Sequence, residues 1–314
     1  MTAPVICLLG PTAAGKTALG VEIAQALNGE VISVDSALIY RGMDIGTAKP
    51  TRAEQAGIPH HLLDILDPAE RYSAQDFRQD ALALIDDIRG RGKTPVLVGG
   101  TMLYFRVLLA PMARLPAADP EVRAELGRQA ATSGLKALHA ELAAVDPQAA
   151  VAIHPHNRQR LIRALEVYRL TGQPLTRLWQ NDTPLPPAGE VAPDFPAPVR
   201  QLAVSPLQRA DLHQRIEQRF DQMLAAGFEH EVRVLYERGD LTVDHPSVRC
   251  VGYRQMWDWL AGELDWDSMR ERGIVVTRQL AKRQLTWLRG WRNLQHFDTL
   301  APDLTERVLT SLRS

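Results

Sequence analysis

The sequence predicts an α/β fold, a parallel sheet covered by helices with an all-helical domain inserted into it. Three observations point there. Short apolar runs closed by Gly, Asp or Ser alternate with helix-period segments through the first third of the chain. A glycine-rich stretch, "GPTAAGKT", sits between the first apolar run and the first helical segment. After Met112 a long stretch carries no strand pattern at all. Strands that alternate with helices imply parallel pairing, because each return to the sheet needs a crossover, and helices then cover both faces.

The elements follow in order. "VICLLG" is a strand, apolar throughout and therefore buried on both faces. "KTALGVEIAQALNG" reads as a helix, with Leu19, Ile23 and Leu27 at four-residue spacing and a stop at Asn28-Gly29. "EVISVDS", "HLLDILD" and "TPVLVGG" are further strands. Before the last of them, "SAQDFRQDALALIDDIRGRG" makes a helix with Ser73 as N-cap, Asp76 three residues on, and Gly90 or Gly92 at its end. Beyond Met112, Asp119-Pro120 and Asp146-Pro147 read as N-cap and N1 pairs, and a helix from Asn157 to Leu170 stops at Gly172. "NDTPLPPAGEVAPDFPAP" is rich in proline and aperiodic, hence an extended loop, and "VRQLAVSP" resumes the sheet. Residues 115–195 are expected to form the inserted helical domain. Residues 1–114 and 196–314 are expected to form the core, with the last helices packing back on it.

Composition excludes several classes. The chain has 314 residues, 45% hydrophobic and 23% charged, with a formal net charge of −1. That is ordinary for a globular protein and argues against a uniformly basic nucleic-acid coat, while leaving room for local basic faces. Cys7 and Cys250 form no C-x-x-C pair, and no Cys/His cluster exists, so neither a disulfide scaffold nor structural zinc is expected. The five histidines from His60 to His156 show no ligand spacing. No apolar run reaches membrane-spanning length, and the N-terminal run is too short for a signal peptide, so a reducing, cytoplasmic setting is expected.

Gly10, Pro11, Thr12, Ala13, Ala14, Gly15, Lys16 and Thr17 match G-x-x-x-x-G-K-[ST], with a strand before and a helix after. Glycine lets the backbone turn its N–H groups toward phosphate oxygens, Lys16 adds point charge, and the Thr17 hydroxyl can ligate Mg²⁺. A P-loop NTPase-like core follows. The loop alone does not choose among kinases, ATPases and GTPases, all of which seat ATP or GTP there. A guanine-reading N-K-x-D is absent, and no strand ends in an Asp-Glu pair suited to activating water. Asp35 follows "VISV" and should emerge at the carboxyl edge of the sheet, beside the loop. There it can serve Mg²⁺, accept a proton, or merely cap the turn. "VGGT", ending in Thr101, reaches the same edge; it can line a pocket or be a plain strand-to-helix turn.

"GPTAAGKT", "VISVDSALIYRGMDIGTAKP", "HHLLDILDP", "YSAQDF", "VLVGGTMLYFRVLL", "RCVGYRQMW" and "RQLAKRQLTWLRGW" together closely resemble the bacterial tRNA dimethylallyltransferases, from about residue 5 to about residue 295. The resemblance implies prenyl transfer from dimethylallyl diphosphate to N6 of the adenine 3′ of the anticodon, position 37 of tRNA, on a P-loop core with an inserted helical domain. It implies that Lys16 and Thr17 bind the diphosphate, Thr17 with Mg²⁺, that Asp35 is the general base and that Thr101 lies near the reacting end. Arg215 in "LHQRIEQRF" is the choice for a further diphosphate contact, with Arg219 as its alternative; a salt bridge is an equal use for either. A protein acting alone as a monomer on the anticodon stem-loop is expected.

From Arg270 to Arg292 there are seven Lys/Arg and one acid, Glu271. On a helix Arg278, Lys282 and Arg289 share one face, with Leu280, Trp287 and Trp291 packing inward opposite. "NRQRLIRALEVYR" is a second cluster, with Arg158, Arg160, Arg163 and Arg169. Such clusters are commonly solvated helix faces, but phosphate contacts and readout of an unstacked loop need them too. The resemblance places tRNA contacts at Asp35, Ser36, Ala37 and Leu38, and at Gln159, Arg160, Leu161, Ile162 and Arg163. It adds Arg249, Cys250, Val251, Gly252, Tyr253 and Arg254, then Lys282, Arg283, Gln284, Leu285, Thr286, Trp287 and Arg289, with Thr101 and Arg123 besides. Trp257, Trp259 and Trp266 are expected to pack rather than stack on bases. Prenylation of free adenine nucleotides, a small-molecule kinase with Asp35 as base, and an RNA-binding P-loop switch are the competing readings.

Overall fold

The computed structural model describes residues 3–110, 115–181 and 187–313. The chain divides into two compact units, Met1–Ala110 with Pro187–Ser314, and Pro111–Pro186. In the larger unit the described residues form one sheet of β1 (Val5–Leu9), β2 (Gly29–Val34), β3 (His60–His61), β4 (Thr94–Gly99), β5 (Val199–Ser205) and β6 (Gln295–Asp298), in the order β3-β2-β4-β1-β5-β6. Every neighbouring pair is parallel. β1 is buried along its whole length because both faces are covered. Val5, Cys7 and Leu9 meet Phe77, Ile85 and Phe105 on one side, while Ile6 and Leu8 meet Leu19, Ile23 and Val308 on the other. From β1 the chain steps to one side for β2, β3 and β4, then to the other for β5 and β6. That reversal leaves a crevice at the carboxyl ends of the central strands, where ligands bind in open α/β sheets.

The first helices are α1 (Lys16–Ala26), α2 (Arg52–Gln55), α3 (Ala74–Gly90) and α4 (Met102–Leu109). α3 starts as its sequence requires. Asp76 N–H donates to Ser73 Oγ at 3.1 Å and Ser73 N–H donates to the Asp76 carboxylate at 2.8 Å. After α1, Asn28 takes the left-handed turn (φ 49°), and Gly29 already belongs to β2. "HLLDILD" is not a strand. Pairing stops at His61 because Leu62 and Asp64 adopt φ of 60° and 54°, which breaks the pleat; only an isolated bridge from Tyr40 to Leu66 remains.

The smaller unit holds α5 (Pro120–Val145), α6 (Pro147–Ala152), α7 (Arg158–Thr171) and α8 (Leu175–Asn181). Asp119 accepts from the N–H groups of Glu121 and Val122, Asp146 from that of Ala149, and Asn157 from that of Arg160. Gly172 ends α7 at φ 67°. α5 breaks at Gly134, where φ is 80° and ψ 162°. Leu126, Leu138, Leu142, Leu161 and Leu165 form this unit's own core.

The chain returns through α9 (Arg209–Ala225), α10 (Phe228–Glu237), α11 (Tyr253–Leu260), α12 (Trp266–Arg289) and α13 (Leu304–Arg313). Phe220, Phe228, Tyr253, Met256 and Met269 pack with Ile39, Tyr40 and Met43 in a separate core. Residues 187–195, assigned by sequence to the insertion, belong with the sheet instead. Ala192 N–H donates to Leu109 O at 2.8 Å and Gln201 Nε2 to Gly189 O at 2.7 Å. Residues 111–114 at the other expected boundary, and 182–186 of the proline-rich loop, lie outside the described residues. The inward face of α12 also differs from expectation: Met269, Gly273, Ile274, Ala281, Gln284 and Leu288 are buried, whereas Leu280 and Trp287 are half-buried. Trp291 is buried but lies beyond the helix end, its indole N–H on Gln201 Oε1 at 2.7 Å. Cys7 and Cys250 are free. No described helix is long and apolar enough to cross a membrane.

Candidate active site

Three loops leave the carboxyl edge of the sheet side by side, because β1, β2 and β4 are neighbours. The first, after β1, is the phosphate loop. Gly15 holds φ 80° immediately before α1, a conformation that side chains other than glycine's resist. Lys16 Nζ folds back on Pro11 O at 2.6 Å. Burial, then the neighbouring Arg219, lower the Lys16 pKa to about 8, with the Asp35 carboxylate pulling the other way. The second loop carries Asp35, whose Oδ1 accepts from Ala37 N–H at 2.8 Å; among the described residues Oδ2 has no hydrogen-bond partner. One oxygen of Asp35 thus caps the turn, and the other is left without a hydrogen bond among the described residues. The third loop carries Thr101, whose Oγ1 accepts from Ser36 N–H at 3.2 Å and so ties the second and third loops together.

These loops open on a cleft of about 610 Å³, within the range of small-molecule sites. Its ionised lining is one-sided: Lys16, Arg219, Arg249 and Arg283 against the single carboxylate Asp35. Apolar side chains, among them Leu63, Met102, Leu103, Met223 and Leu280, form the remaining wall. Arg215, one turn before Arg219 on α9, donates from Nε to Ala13 O at 2.8 Å and braces the phosphate loop. Arg219 makes no hydrogen bond among the described residues; burial lowers its pKa, Asp35 opposes that, and Arg215 adds to it. A desolvated, unpaired guanidinium beside a phosphate loop is a seat for an anion.

Two supports of the cleft have roles that the sequence did not show. Gln284 of α12, expected as a tRNA contact, is instead buried, 8% exposed. Its Oε1 accepts from Thr12 N–H at 2.9 Å and its Nε2 donates to Gly100 O at 2.9 Å, which joins the first loop to the third. A side chain at position 100 would put its Cβ 2.4 Å from that nitrogen, so the close approach requires glycine. Glu231 of α10 accepts from the N–H groups of Asp44, Ile45 and Gly46 at 2.8, 2.7 and 3.0 Å, and from the Tyr253 hydroxyl. It thereby fixes the segment through Thr47 that lines the cleft. Both side chains join residues far apart in sequence, which no local pattern records.

The residues expected to meet RNA fall into distinct places. Ser36, Arg249 and Arg283 are exposed at the cleft, where Ala37, Leu38, Cys250, Val251 and Trp287 are half-buried. Gly252 lines the cleft too; Tyr253 is 1% exposed, and its hydroxyl is spent on Glu231. Arg254 pairs with Asp258 at 2.7 Å. On α12, Lys282, Thr286 and Arg289 are exposed, and Leu285 is half-buried against the core. In the smaller unit Gln159 and Arg160 are exposed, Leu161 is core, and Ile162 packs against it. Arg123 and Arg163 bind the fully buried Glu166 at 2.8 and 2.6 Å, so these guanidinia hold the helices together.

Thr17 is exposed in the first turn of α1, and its hydroxyl has no hydrogen-bond partner among the described residues. No group of three His, Cys, Asp or Glu among the described residues could hold a metal by itself. A lone hydroxyl beside a phosphate seat fits Mg²⁺, which takes most of its octahedral shell from substrate phosphates and water.

A family model described as IPP transferase matches residues 38–291. A tRNA dimethylallyltransferase of Chromohalobacter salexigens is 56% identical over 308 residues, 98% of this chain and 96% of that protein. Among solved structures, the tRNA isopentenylpyrophosphate transferase of Bacillus halodurans superposes with a TM-score of 0.70 at 39% identity, covering 99% of this chain and 97% of that one. A eukaryotic dimethylallyltransferase acting on tRNA gives a TM-score of 0.79 at 27% identity, covering 98% of this chain and 78% of its own.

Proposed function

The chain belongs to the IPP transferase family, and from that premise we propose that it moves the dimethylallyl group of dimethylallyl diphosphate onto N6 of the adenine 3′ of the anticodon in tRNA. The observation that carries this reading is the meeting of Lys16, Arg219 and Asp35 at one cleft beside the phosphate loop. The diphosphate sits on the loop N–H groups and Lys16, flanked by Arg215 and Arg219. Thr17 would hold Mg²⁺ there, and the ion, when bound, would supply charge neutralisation for diphosphate oxygens.

The adenine N6 lone pair is delocalised into the purine, which makes it a poor nucleophile. Asp35 accepts a hydrogen bond from N6 and takes its proton as the N6–carbon bond forms and the carbon–oxygen bond to diphosphate breaks. Lys16, Arg219 and the loop N–H groups stabilise the negative charge that gathers on the leaving group. The apolar wall keeps water from the allylic carbon. The base must leave its stack to reach Asp35, and Thr101, tied to Ser36, keeps the two loops around it in register.

Incubation with dimethylallyl diphosphate, Mg²⁺ and unmodified tRNA, followed by nucleoside mass analysis, tests the reading; a prenylated adenosine is expected. The Asp35→Ala variant should bind RNA as the parent does and lose turnover by about 10²–10⁴-fold. Product from free adenine nucleotides but not from tRNA, or transfer of the γ-phosphoryl of labelled ATP to a small acceptor, would replace it with a competing reading.

A further inference from the structure

Four tyrosines line the cleft among the described residues: Tyr40, Tyr72, Tyr104 and Tyr253. Three of them spend their hydroxyls inside the protein, Tyr40 on Glu70 O at 3.5 Å, Tyr72 on Asp80 Oδ2 at 2.6 Å and Tyr253 on Glu231. The Tyr104 hydroxyl has no hydrogen-bond partner among the described residues, although the side chain is only 5% exposed. A phenol buried so deeply ordinarily finds a partner, because an unmatched O–H is costly away from water. Here the ring is held where it stands. It stacks on Phe77, with centroids 4.4 Å and planes 12° apart, and Tyr72 packs edge-on against it at 6.4 Å. Its N–H donates to Thr101 O at 2.9 Å in the first turn of α4, so Tyr104 and Thr101 share one helix end at the cleft. Asp35 is near enough to act on the phenol. Burial first, then Tyr40 and Asp35, raise the Tyr104 pKa, and the group therefore keeps its proton and can donate it to a hydrogen bond.

We propose that the Tyr104 hydroxyl donates a hydrogen bond to a ring nitrogen of the target adenine, beside the N6 amino group that donates to Asp35. The inference rests on the prenyl-transfer reading above and adds to it the residue that reads the edge of the base. In adenine the N6 amino group is a donor flanked by two acceptors, N1 and N7. An acceptor and a donor set side by side, Asp35 and Tyr104, match that edge. Guanine carries an oxygen where adenine carries N6, and that oxygen would face the Asp35 carboxylate. Tyr104 thus selects and places the base, while the N6 proton still passes to Asp35.

The test uses three anticodon stem-loops with adenine, 7-deazaadenine or 1-deazaadenine at the target position; each deaza base replaces one ring nitrogen by C–H. Affinity and single-turnover prenyl transfer are measured for the parent and for Tyr104→Phe, which keeps the stack on Phe77. The variant should bind the adenine loop about five- to tenfold more weakly, and its rate at subsaturating loop should fall in proportion. A deaza loop that lacks the contacted nitrogen should abolish this difference between parent and variant. Inorganic pyrophosphate affinity should be equal in the two proteins, which also reports an intact fold. Equal loss on all three loops overturns the proposal, and an acid limb of rate against pH that moves in the variant would then place the hydroxyl on Asp35 instead. Undiminished affinity and rate with adenine overturn it as well. Failure of the parent to make prenylated adenosine would strike the catalytic reading, whereas the affinities for the three loops would still judge Tyr104.

Discussion

At the scale of single residues, the cleft depends on side chains that never meet the reacting atoms. Gln284 uses both ends of its amide inside the protein, so its role is to position the phosphate loop against the loop that carries Thr101. Gln284→Glu keeps the acceptor for Thr12 and sets a carboxylate against Gly100 O. A buried group left unmatched costs about 1–3 kcal/mol. Dimethylallyl diphosphate affinity and kcat should both fall, by roughly tenfold or more, while the dissociation constant for tRNA stays at the parent value. A rise in the tRNA constant alone would make Gln284 an RNA contact. Lys16 gives a pH test. Its pKa of about 8 means that the free site loses its cation as pH rises past that point. Binding of the anion then requires proton uptake, so affinity for the diphosphate should weaken by up to tenfold per pH unit above 8, and Lys16→Ala should show no such limb. That Lys16, Thr17, Asp35 and Thr101 would gather at one edge of the sheet was legible in the sequence, because a loop motif and strand ends fix their places locally. The bracing roles of Gln284, which the resemblance had marked as an RNA contact, and of Glu231 were not, since they lie in bonds to backbone groups far away in the chain.

At the scale of elements, what was legible followed burial. β1, β2 and β4 are almost wholly buried and β5 is buried through its middle, so apolar runs in their sequences announce them. β6 is four residues, half of them exposed, and carries no such signal. The expected third strand failed for a backbone reason, the left-handed turns at Leu62 and Asp64. Helix ends were read well because capping is local chemistry. In the smaller unit α5 and α7 are locked by Glu166. Burial alone would raise its pKa, but bonds from Arg123, Arg163 and the Asp119 N–H outweigh that and hold it below the usual carboxylate value. A depressed folded value contributes stability above the unfolded pKa and loses it as pH falls through the folded one. Arg123→Ala should therefore destabilise this unit by about 2 kcal/mol at neutral pH. The difference from the parent should shrink below about pH 4, near the unfolded carboxylate value. Hydrogen exchange of α5 and α7 amides reads both effects; equal protection in parent and variant at pH 7 would remove Glu166 from the account.

At the scale of the whole molecule, the two edges of the sheet have different tasks. The carboxyl edge carries Arg219, desolvated and without a hydrogen-bond partner among the described residues. The amino edge holds satisfied charge: Glu30, 2% exposed, receives Arg91, Lys93 and His61 at 2.5, 2.7 and 2.8 Å. The Arg91 bonds chiefly, against the cost of burial, press the Glu30 pKa far below its ordinary value. Its contribution is thus complete above the unfolded carboxylate pKa and fades only in strong acid. Glu30→Gln leaves the Arg91 and Lys93 cations around a neutral amide at the start of β2, and the loss should be about 3 kcal/mol of unfolding free energy at pH 7. The site stands at the other end of the same strands, so kcat and both substrate affinities of the folded variant should match the parent. Urea unfolding at pH 7, paired with single-turnover prenyl transfer well below the transition, measures the two quantities separately. A variant with parental stability would show that the cluster is only a solvated ion network. A stable variant with impaired turnover would show instead that strain at the amino edge is transmitted along β2 to Asp35.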